Sequence, residues 1–405
     1  MLTRRIRQLI HQYPRQFWLL FGGMLISTLG TSMIWPFLMI YVSEQLDLPL
    51  VTITSLMTLQ ATMGLIFSFI AGPVTDRAGR KWVMVVSLAV NGLGYLLLSR
   101  AHTLPAFAVL MAVIGAFNPL YRVAADAMMA DLVPPEKRID AYSLLRTSNN
   151  MGIALGPAIG GLIAAVSYTT AFYCAATGLI TFSLLITFFA AETLPARSQP
   201  VKPKREKFGG YGRILHDRPF VAFALTMVLT QMCAVMIWVL LGVYAKQNYQ
   251  VPESQYGLIA TTNALMVVLF QIPVTRVTKR YQPLFVLAAG SLFYAIGVGS
   301  VALGHGFWGF WLSMVIMTVG ELILAPTAST YTANLAPPDM RGRYMSIFTL
   351  TWGAAAGIGP LLGGFLNDNL GPVYIWYGGL LIGLSSTFIF LLLARRAPKP
   401  ARASN

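Results

Sequence analysis

Apolar residues in this chain come in long unbroken blocks, not in the one-sided stripes of a soluble helix. Residues 17 to 42, 105 to 130 and 371 to 394 are such blocks. Each can cross about 30 Å of hydrocarbon at about 1.5 Å per residue. A window of about nineteen residues predicts spans near 17 to 42, 51 to 73, 80 to 100, 105 to 132, 139 to 165 and 168 to 191. Six more follow near 218 to 246, 255 to 277, 283 to 304, 307 to 334, 341 to 367 and 371 to 396. The fold class is therefore all-α membrane protein with twelve spans. Residues 192 to 217 hold the one extended polar stretch and predict a linker, rich in Lys, Arg, Pro and Gly. The chain thus divides into a six-helix bundle over 1 to 191, the linker, and a second bundle over 218 to 405.

Composition agrees with the pattern: of 405 residues 56% are hydrophobic and 11% charged, and the mean hydropathy is +0.65. That excess of apolar surface excludes a water-soluble enzyme. Enzymatic chemistry also lacks its groups. His11, His102, His216 and His305 lie near termini or loops far apart in sequence, and no zinc spacing, P-loop or GxSxG elbow occurs. No metal and no cofactor are expected. Cys174 and Cys233 lie inside apolar spans, where thiols behave as small hydrophobes. The basic start with Arg4, Arg5, Arg7 and Arg15 precedes an apolar run too long for a signal-peptide core, so it reads as a retained first span.

The formal charge of +15 raises the question of nucleic acid, and the placement of the cations answers it. Of 29 Lys and Arg, 25 lie at the two termini, in the even-numbered interspan loops and in the linker. The opposite loops hold only Arg100 and Lys246, while Arg122 and Arg146 fall within spans. This asymmetry puts both termini in the cytoplasm of a cell-membrane protein. The excess charge then serves topology and anionic lipid headgroups, each residue contributing about 1 kcal/mol near the bilayer. No nucleic-acid partner is needed.

An internal repeat is written at an offset of 203 residues. ADLVPPEKRIDAYS (130 to 143) lies without a gap on ANLAPPDMRGRYMS (333 to 346), and Gly156, Pro157, Gly160 and Gly161 meet Gly359, Pro360, Gly363 and Gly364. Two six-span halves of equal orientation form a parallel repeat, the pattern of transporters that rock one bundle against another about a central site.

The segment after span 2 reads GPVTDRAGRK, Gly72 to Lys81. Its order of Gly, three residues, Asp-Arg, one residue and Gly-Arg-Lys resembles the signature loop of the major facilitator superfamily, and with twelve spans, a basic central loop and the repeat, the resemblance covers essentially the whole chain. It implies the major facilitator fold, two pseudo-symmetric six-helix bundles in which spans 1, 4, 7 and 10 line a central cavity and this loop latches the cytoplasmic side. Carried over by residue, Gly72, Asp76, Arg77, Gly79, Arg80 and Asp131 form the gate. The physics agrees: Arg80 can bond Asp76 one turn away and Asp131 at the inner end of span 4, with Asp76 facing the positive N-terminus of a neighbouring helix. The second copy, Pro273 to Arg280, aligns at an offset near 200 and puts Arg276 where Asp76 stands, so that half has lost its acidic latch. In span 5, Gly152, Gly156 and Gly160 recur every fourth residue, and with Pro157 and Gly161 they resemble the family's antiporter motif. Thr147 stands where that motif has another Gly, and the same string in span 11 fits tight helix packing equally well.

An ionisable side chain within a span costs about 2.5 to 3.5 kcal/mol on insertion scales and so asks for a reason. Glu321 lies about fourteen residues into span 10, opposite Asn118 of span 4 at the 203-residue offset. Desolvation there favours the neutral acid, which poises Glu321 to take up and lose a proton. Its surroundings, VGELILAP, resemble a segment of proton-driven multidrug exporters in the superfamily. Asn118, Arg122 and Asp126 share one face of span 4 at spacings of four, and Arg122 is expected to pair with Asp126. Arg146, seven residues into span 5, is close enough to the cytoplasm to snorkel. Trp35 on span 1 and Gln231, Met232 and Trp238 on span 7 are candidates for an adaptable lipophilic surface, with core or lipid-facing packing as the alternative.

These residues describe a secondary active transporter, an antiporter exporting lipophilic or amphiphilic small molecules by alternating access. Protons are its energy source, with Glu321 and Asp126 as proton-coupling residues. It is expected to work as a monomer among membrane lipids. Three readings compete. A nutrient symporter is disfavoured because span 6 ends AETLP, unlike sugar carriers of the superfamily, and span 1 lacks the Glu-x-x-Glu-Arg cluster of peptide carriers. A lipid or lysolipid flippase would need the same amphiphilic cavity. A non-transporting receptor or scaffold would tolerate loss of Glu321.

Overall fold

A computed structural model describes residues 12–194, 211–337 and 340–396. Arg4, Arg5, Arg7, His11, the linker from 195 to 210 and the tail from 397 lie outside the described residues. Among the described residues the chain is helical without strands, and the predicted spans appear in order. They are α1 (Arg15–Leu46), α2 (Leu50–Ala78), α3 (Arg80–Leu98), α4 (Leu104–Leu132), α5 (Arg138–Ala164) and α6 (Tyr168–Phe189). The second set is α7 (Arg218–Tyr249), α8 (Glu253–Thr278), α9 (Pro283–Leu303), α10 (Gly306–Leu335), α11 (Arg341–Leu370) and α12 (Tyr374–Arg396). Eleven are long and apolar enough to cross a membrane. The exception, α5, has the length but carries Arg138, Asp140, Ser143, Arg146, Ser148, Asn149 and Asn150 in its first half.

Local chemistry sets the ends. α1 is broken by a 3-10 turn at Trp35–Phe37, where Pro36 cannot supply the helical N–H, and it stops at Asp47, whose φ of 44° leaves the helical region. Ser167 caps α6 by accepting from the Thr170 amide at 3.2 Å, and Asp217 caps α7 through Phe220 N at 3.2 Å. The predicted loop from Gly72 to Lys81 is mostly helix: α2 runs through Pro73 to Ala78, α3 starts at Arg80, and Gly79 is the whole connection. In the second copy α8 also runs past Pro273, but the connection lengthens to residues 279–282 before Pro283 starts α9.

The repeat is structural as well as sequential. α4 and α10 end at Leu132 and Leu335, and α5 and α11 begin at Arg138 and Arg341, both pairs 203 apart. By contacts the described residues group into two compact units. One holds those up to 194 together with Gly242–Ala264; the other holds those from 211 to Leu241 and from Leu265 onward. The ends of α7 and α8 nearest their connection thus group with the first six helices, a finer division than a cut at the linker.

Helices in lipid gain little from burying apolar groups against one another, so close backbone approach at small residues holds each unit together. In the first unit a Cβ on Gly115 would strike Gln60 O, and one on Gly30 would meet the Ala175 backbone at 3.1 Å. In the second, a Cβ on Gly297 would meet Met317 N at 2.7 Å, and one on Gly383 would meet Ala295 Cα at 2.7 Å.

Candidate functional site

The connection at Gly79 gathers a bonded polar cluster in the first unit. Gly79 has φ 94° and ψ 151°, a conformation open in practice only to glycine. The sharp reversal aims the first amides of α3 outward, and a carboxylate sits on them. Arg80 N donates to Glu192 Oε1 at 3.0 Å and Lys81 N to Oε2 at 3.1 Å. A negative group there is favoured by both the unpaired amides and the helix dipole. A Cβ at position 79 would collide with the same carboxylate. Arg80, with only 11% of its side chain exposed, reaches Asp131 Oδ2 at 3.1 Å through Nε and Asp76 Oδ1 at 3.3 Å through Nη2. Asp131 Oδ2 also accepts from Thr193 Oγ1 at 3.1 Å.

Asp76, Gly79, Arg80 and Asp131 therefore meet, and two other predicted gate residues do not join them. A Cβ on Gly72 would meet nothing within 4 Å, and Arg77 is exposed and makes no ion pair among the described residues. The carboxylate on a helix N-terminus belongs to Glu192, whereas the Asp76 side chain is 70% exposed. Glu192 escaped the sequence reading, although it is an acid at the end of span 6 on the most basic side of the chain, where helix N-termini need anions.

On α4, Asn118, Arg122 and Asp126 share an exposed face, as their spacing requires. The expected pairing of Arg122 with Asp126 does not form, no nitrogen-to-oxygen distance between them being within 4.0 Å. Both residues are exposed on the helix. Arg146 is exposed on α5.

Gly152, Gly156 and Gly160 face α1. A Cβ on Gly152 would meet Leu29 N at 2.8 Å, and one on Gly160 would meet Met33 Cα at 2.6 Å. Polar side chains extend the seam: Ser148 Oγ donates to Phe21 O at 2.7 Å and Thr28 Oγ1 to Asn149 Oδ1 at 3.1 Å. Gly161 and Pro157 instead lie against Gly257 of α8. This geometry makes the motif a close-packing device.

In the second unit Glu321 is half-buried on α10, within electrostatic range of the buried Tyr294 of α9. The helices nearly touch there, since a Cβ on Gly320 would lie 2.8 Å from Gly290 O. Of the surface candidates, Trp35 is 37% exposed at the break in α1, and Gln231 and Trp238 are half-buried on α7. Trp35 and Trp238 are themselves 203 apart. Met232 is a correction: it is buried, and its backbone lies against Gly359 of α11, so it belongs to the core. Among the described residues no group of three His, Cys, Asp or Glu could hold a metal ion.

The family model described as Major Facilitator Superfamily matches residues 20–245 and 223–405. The multidrug resistance protein MdtH of Escherichia coli O1:K1 / APEC is 26% identical over 388 residues, covering 93% of this chain and 93% of that protein. A Na(+), Li(+), K(+)/H(+) antiporter of Planococcus maritimus is 24% identical over 375 residues, 85% of this chain and 86% of that protein. Among solved structures, that of a point mutant of the nucleoside transporter NupG has a TM-score of 0.80 at 12% identity, covering 93% of this chain and 99% of that one.

Proposed function

Because the chain belongs to the Major Facilitator Superfamily and is thus a membrane transporter, we propose that it exports lipophilic or amphiphilic small molecules in exchange for protons. The observation that carries this reading is a single acid, Glu321, half-buried in the middle of α10 beside the buried Tyr294. In the cycle, deprotonated Glu321 favours substrate uptake from the cytoplasm or inner leaflet. Protonation from outside favours release, and reciprocity makes proton and substrate compete. One pH unit across the membrane supplies about 1.4 kcal/mol per proton, enough for about a tenfold concentration ratio at one proton per substrate. Asp126, on the exposed face of α4, is the second proton site. The distribution of Lys and Arg supports a cell-membrane protein with both termini and the Gly79 connection on the cytoplasmic side, where the cations face anionic lipids. The transporter works as a monomer. Similarity to a multidrug resistance protein supports export.

The cation antiporter relative favours a second reading, exchange of Na+, Li+ or K+ for protons by the same acids. In proteoliposomes bearing a pH gradient, purified protein should move a lipophilic dye and Glu321→Gln should not. Gradient-driven dye movement unchanged in that variant refutes the coupling assignment. Dye-independent, Na+-dependent dissipation of the gradient would select the second reading.

A further inference from the structure

At the end of the first unit opposite Gly79, where α1 and α7 finish and α6 and α8 begin, a carboxylate is buried that the transport cycle above does not use. Glu253, the first residue of α8, is 5% exposed. Tyr168 of α6 donates its hydroxyl to Glu253 Oε1 at 2.7 Å, and Lys246 of α7 reaches the same oxygen at 3.0 Å and Oε2 at 3.2 Å. Glu44 of α1, exposed, is within electrostatic range of both Lys246 and Glu253. Around these groups the seam is tight. Gly257 Cα would lie 3.2 Å from a Cβ on Gly161, Tyr41 packs its ring 5.4 Å from that of Tyr168, and Phe37 meets Tyr256 edge-on at 5.8 Å.

We infer that the Tyr168 hydroxyl and the Glu253 carboxylate form the outer latch of the transporter, closing the outer ends of α1, α5 and α6 against the α7–α8 hairpin. The inference rests on the alternating-access reading proposed above and adds gating residues to it. The division of labour in the cluster carries it. Lys246 and Glu253 lie on the same hairpin, seven residues apart, so their ion pair persists when the hairpin moves away from α6. The bond that crosses the seam is the neutral phenol's. Opening it leaves Glu253 still neutralised by Lys246, so no bare charge is stranded in a low-dielectric place, the cost that makes broken buried ion pairs prohibitive. A fixed structural clamp has no need of that arrangement, whereas a bond broken in every cycle does. The 203-residue offset sets Leu50 opposite Glu253 and Ser43 opposite Lys246, so only one half carries the device.

The test uses the full chain with Cys174→Ser and Cys233→Ser and one reporter, Ile40→Cys. Ile40 is 1% exposed and its Cδ1 lies 3.0 Å from where a Cβ on Gly242 would stand, so it is sealed behind the latch. In right-side-out vesicles a membrane-impermeant maleimide should label this cysteine slowly. Tyr168→Phe, which deletes only the hydroxyl, should raise the rate about tenfold, and Glu253→Gln at least as much. Rates equal to the parent in both variants overturn the latch. Because labelling needs neither substrate nor pH gradient, it is independent of the Glu321→Gln flux assay. A labelling response without coupled efflux would remove the proton-export reading and leave the latch standing.

Discussion

Replacing Gly79 with alanine tests whether the inner cluster is built on one backbone angle. At φ 94° and ψ 151° an L-residue incurs about 1 to 3 kcal/mol of strain. The new methyl would also occupy the place of the Glu192 carboxylate and push it off the Arg80 and Lys81 amides, which it holds at 3.0 and 3.1 Å. Charge-assisted bonds are each worth about 1.5 to 3 kcal/mol when buried, but these are exposed and water replaces much of them, leaving about 1 kcal/mol for the two together. The expected loss is about 2 to 4 kcal/mol. At roughly 2 to 4 °C per kcal/mol for a domain the size of one six-helix half, the melting temperature of purified protein should fall by about 4 to 16 °C. A double-mutant cycle separates the two parts. Glu192→Ala should cost about 1 kcal/mol alone, and Gly79→Ala in that background should lose only the strain, giving a coupling of about 1 kcal/mol. A melting temperature within about 1 °C of the parent for Gly79→Ala, or strict additivity in the cycle, refutes the assignment of Glu192 to this helix terminus.

Two other glycines should respond in opposite directions. Gly72→Ala, with nothing within 4 Å of the new methyl in a helix interior, should stabilise by about 0.5 to 1 kcal/mol and leave transport intact. Gly160→Ala presses on the Met33 backbone and should destabilise by about 1 to 3 kcal/mol, so thermal melts of opposite sign in the two variants are the check. In the second unit, Tyr344 donates to Asp217 Oδ2 at 2.6 Å while Oδ1 of the same residue caps α7. Asp217→Ala should therefore cost about 2 kcal/mol and Tyr344→Phe about 1 kcal/mol, and equal losses in the two would deny the cap.

The spans were readable because hydrocarbon thickness fixes their length and because backbone groups in lipid have no partner other than their own helix. The span read at 139 to 165 is a helix too, α5, although its polar first half leaves it less apolar than the other eleven. The Arg80 cluster was legible because a recurring motif names its members; Glu192 and Glu253 were not, because each acts across distances of about 110 and 85 residues that no local spacing records. Periodicity placed Asn118, Arg122 and Asp126 on one face correctly but could not tell whether two charges one turn apart would close on each other. Met232 failed for a related reason: a methionine suited to a lipophilic surface is equally suited to the core, and its place was decided by Gly359 on another helix.

What the repeat keeps and what it discards separates folding from function in this chain. One packing string is kept: Gly156, Pro157, Gly160 and Gly161 recur as Gly359, Pro360, Gly363 and Gly364, and the helix ends at Leu132 and Leu335 coincide. Several charges are not kept, although Glu136 recurs as Asp339 and Arg138 as Arg341. Asp76 becomes Arg276 at the offset of 200, while at 203 Asp131 becomes Asn334, Glu192 becomes Arg395, Asn118 becomes Glu321 and Leu50 becomes Glu253. Lys279 stands at the place of Gly79, and that half uses a longer connection in which, among the described residues, no anion is clasped to a helix start. A six-helix bundle of this shape therefore folds with or without each of these charges. An ionisable group that costs insertion energy and is not required by the fold is retained for what it does. Asp76, Asp131 and Glu192 are exposed at the Gly79 connection and incur no such cost, so the groups proposed to be kept for function on this ground are Glu321 and Glu253. Neutralising either should impair gating or coupling more than it impairs folding, measured as the ratio of lost flux to lost melting temperature.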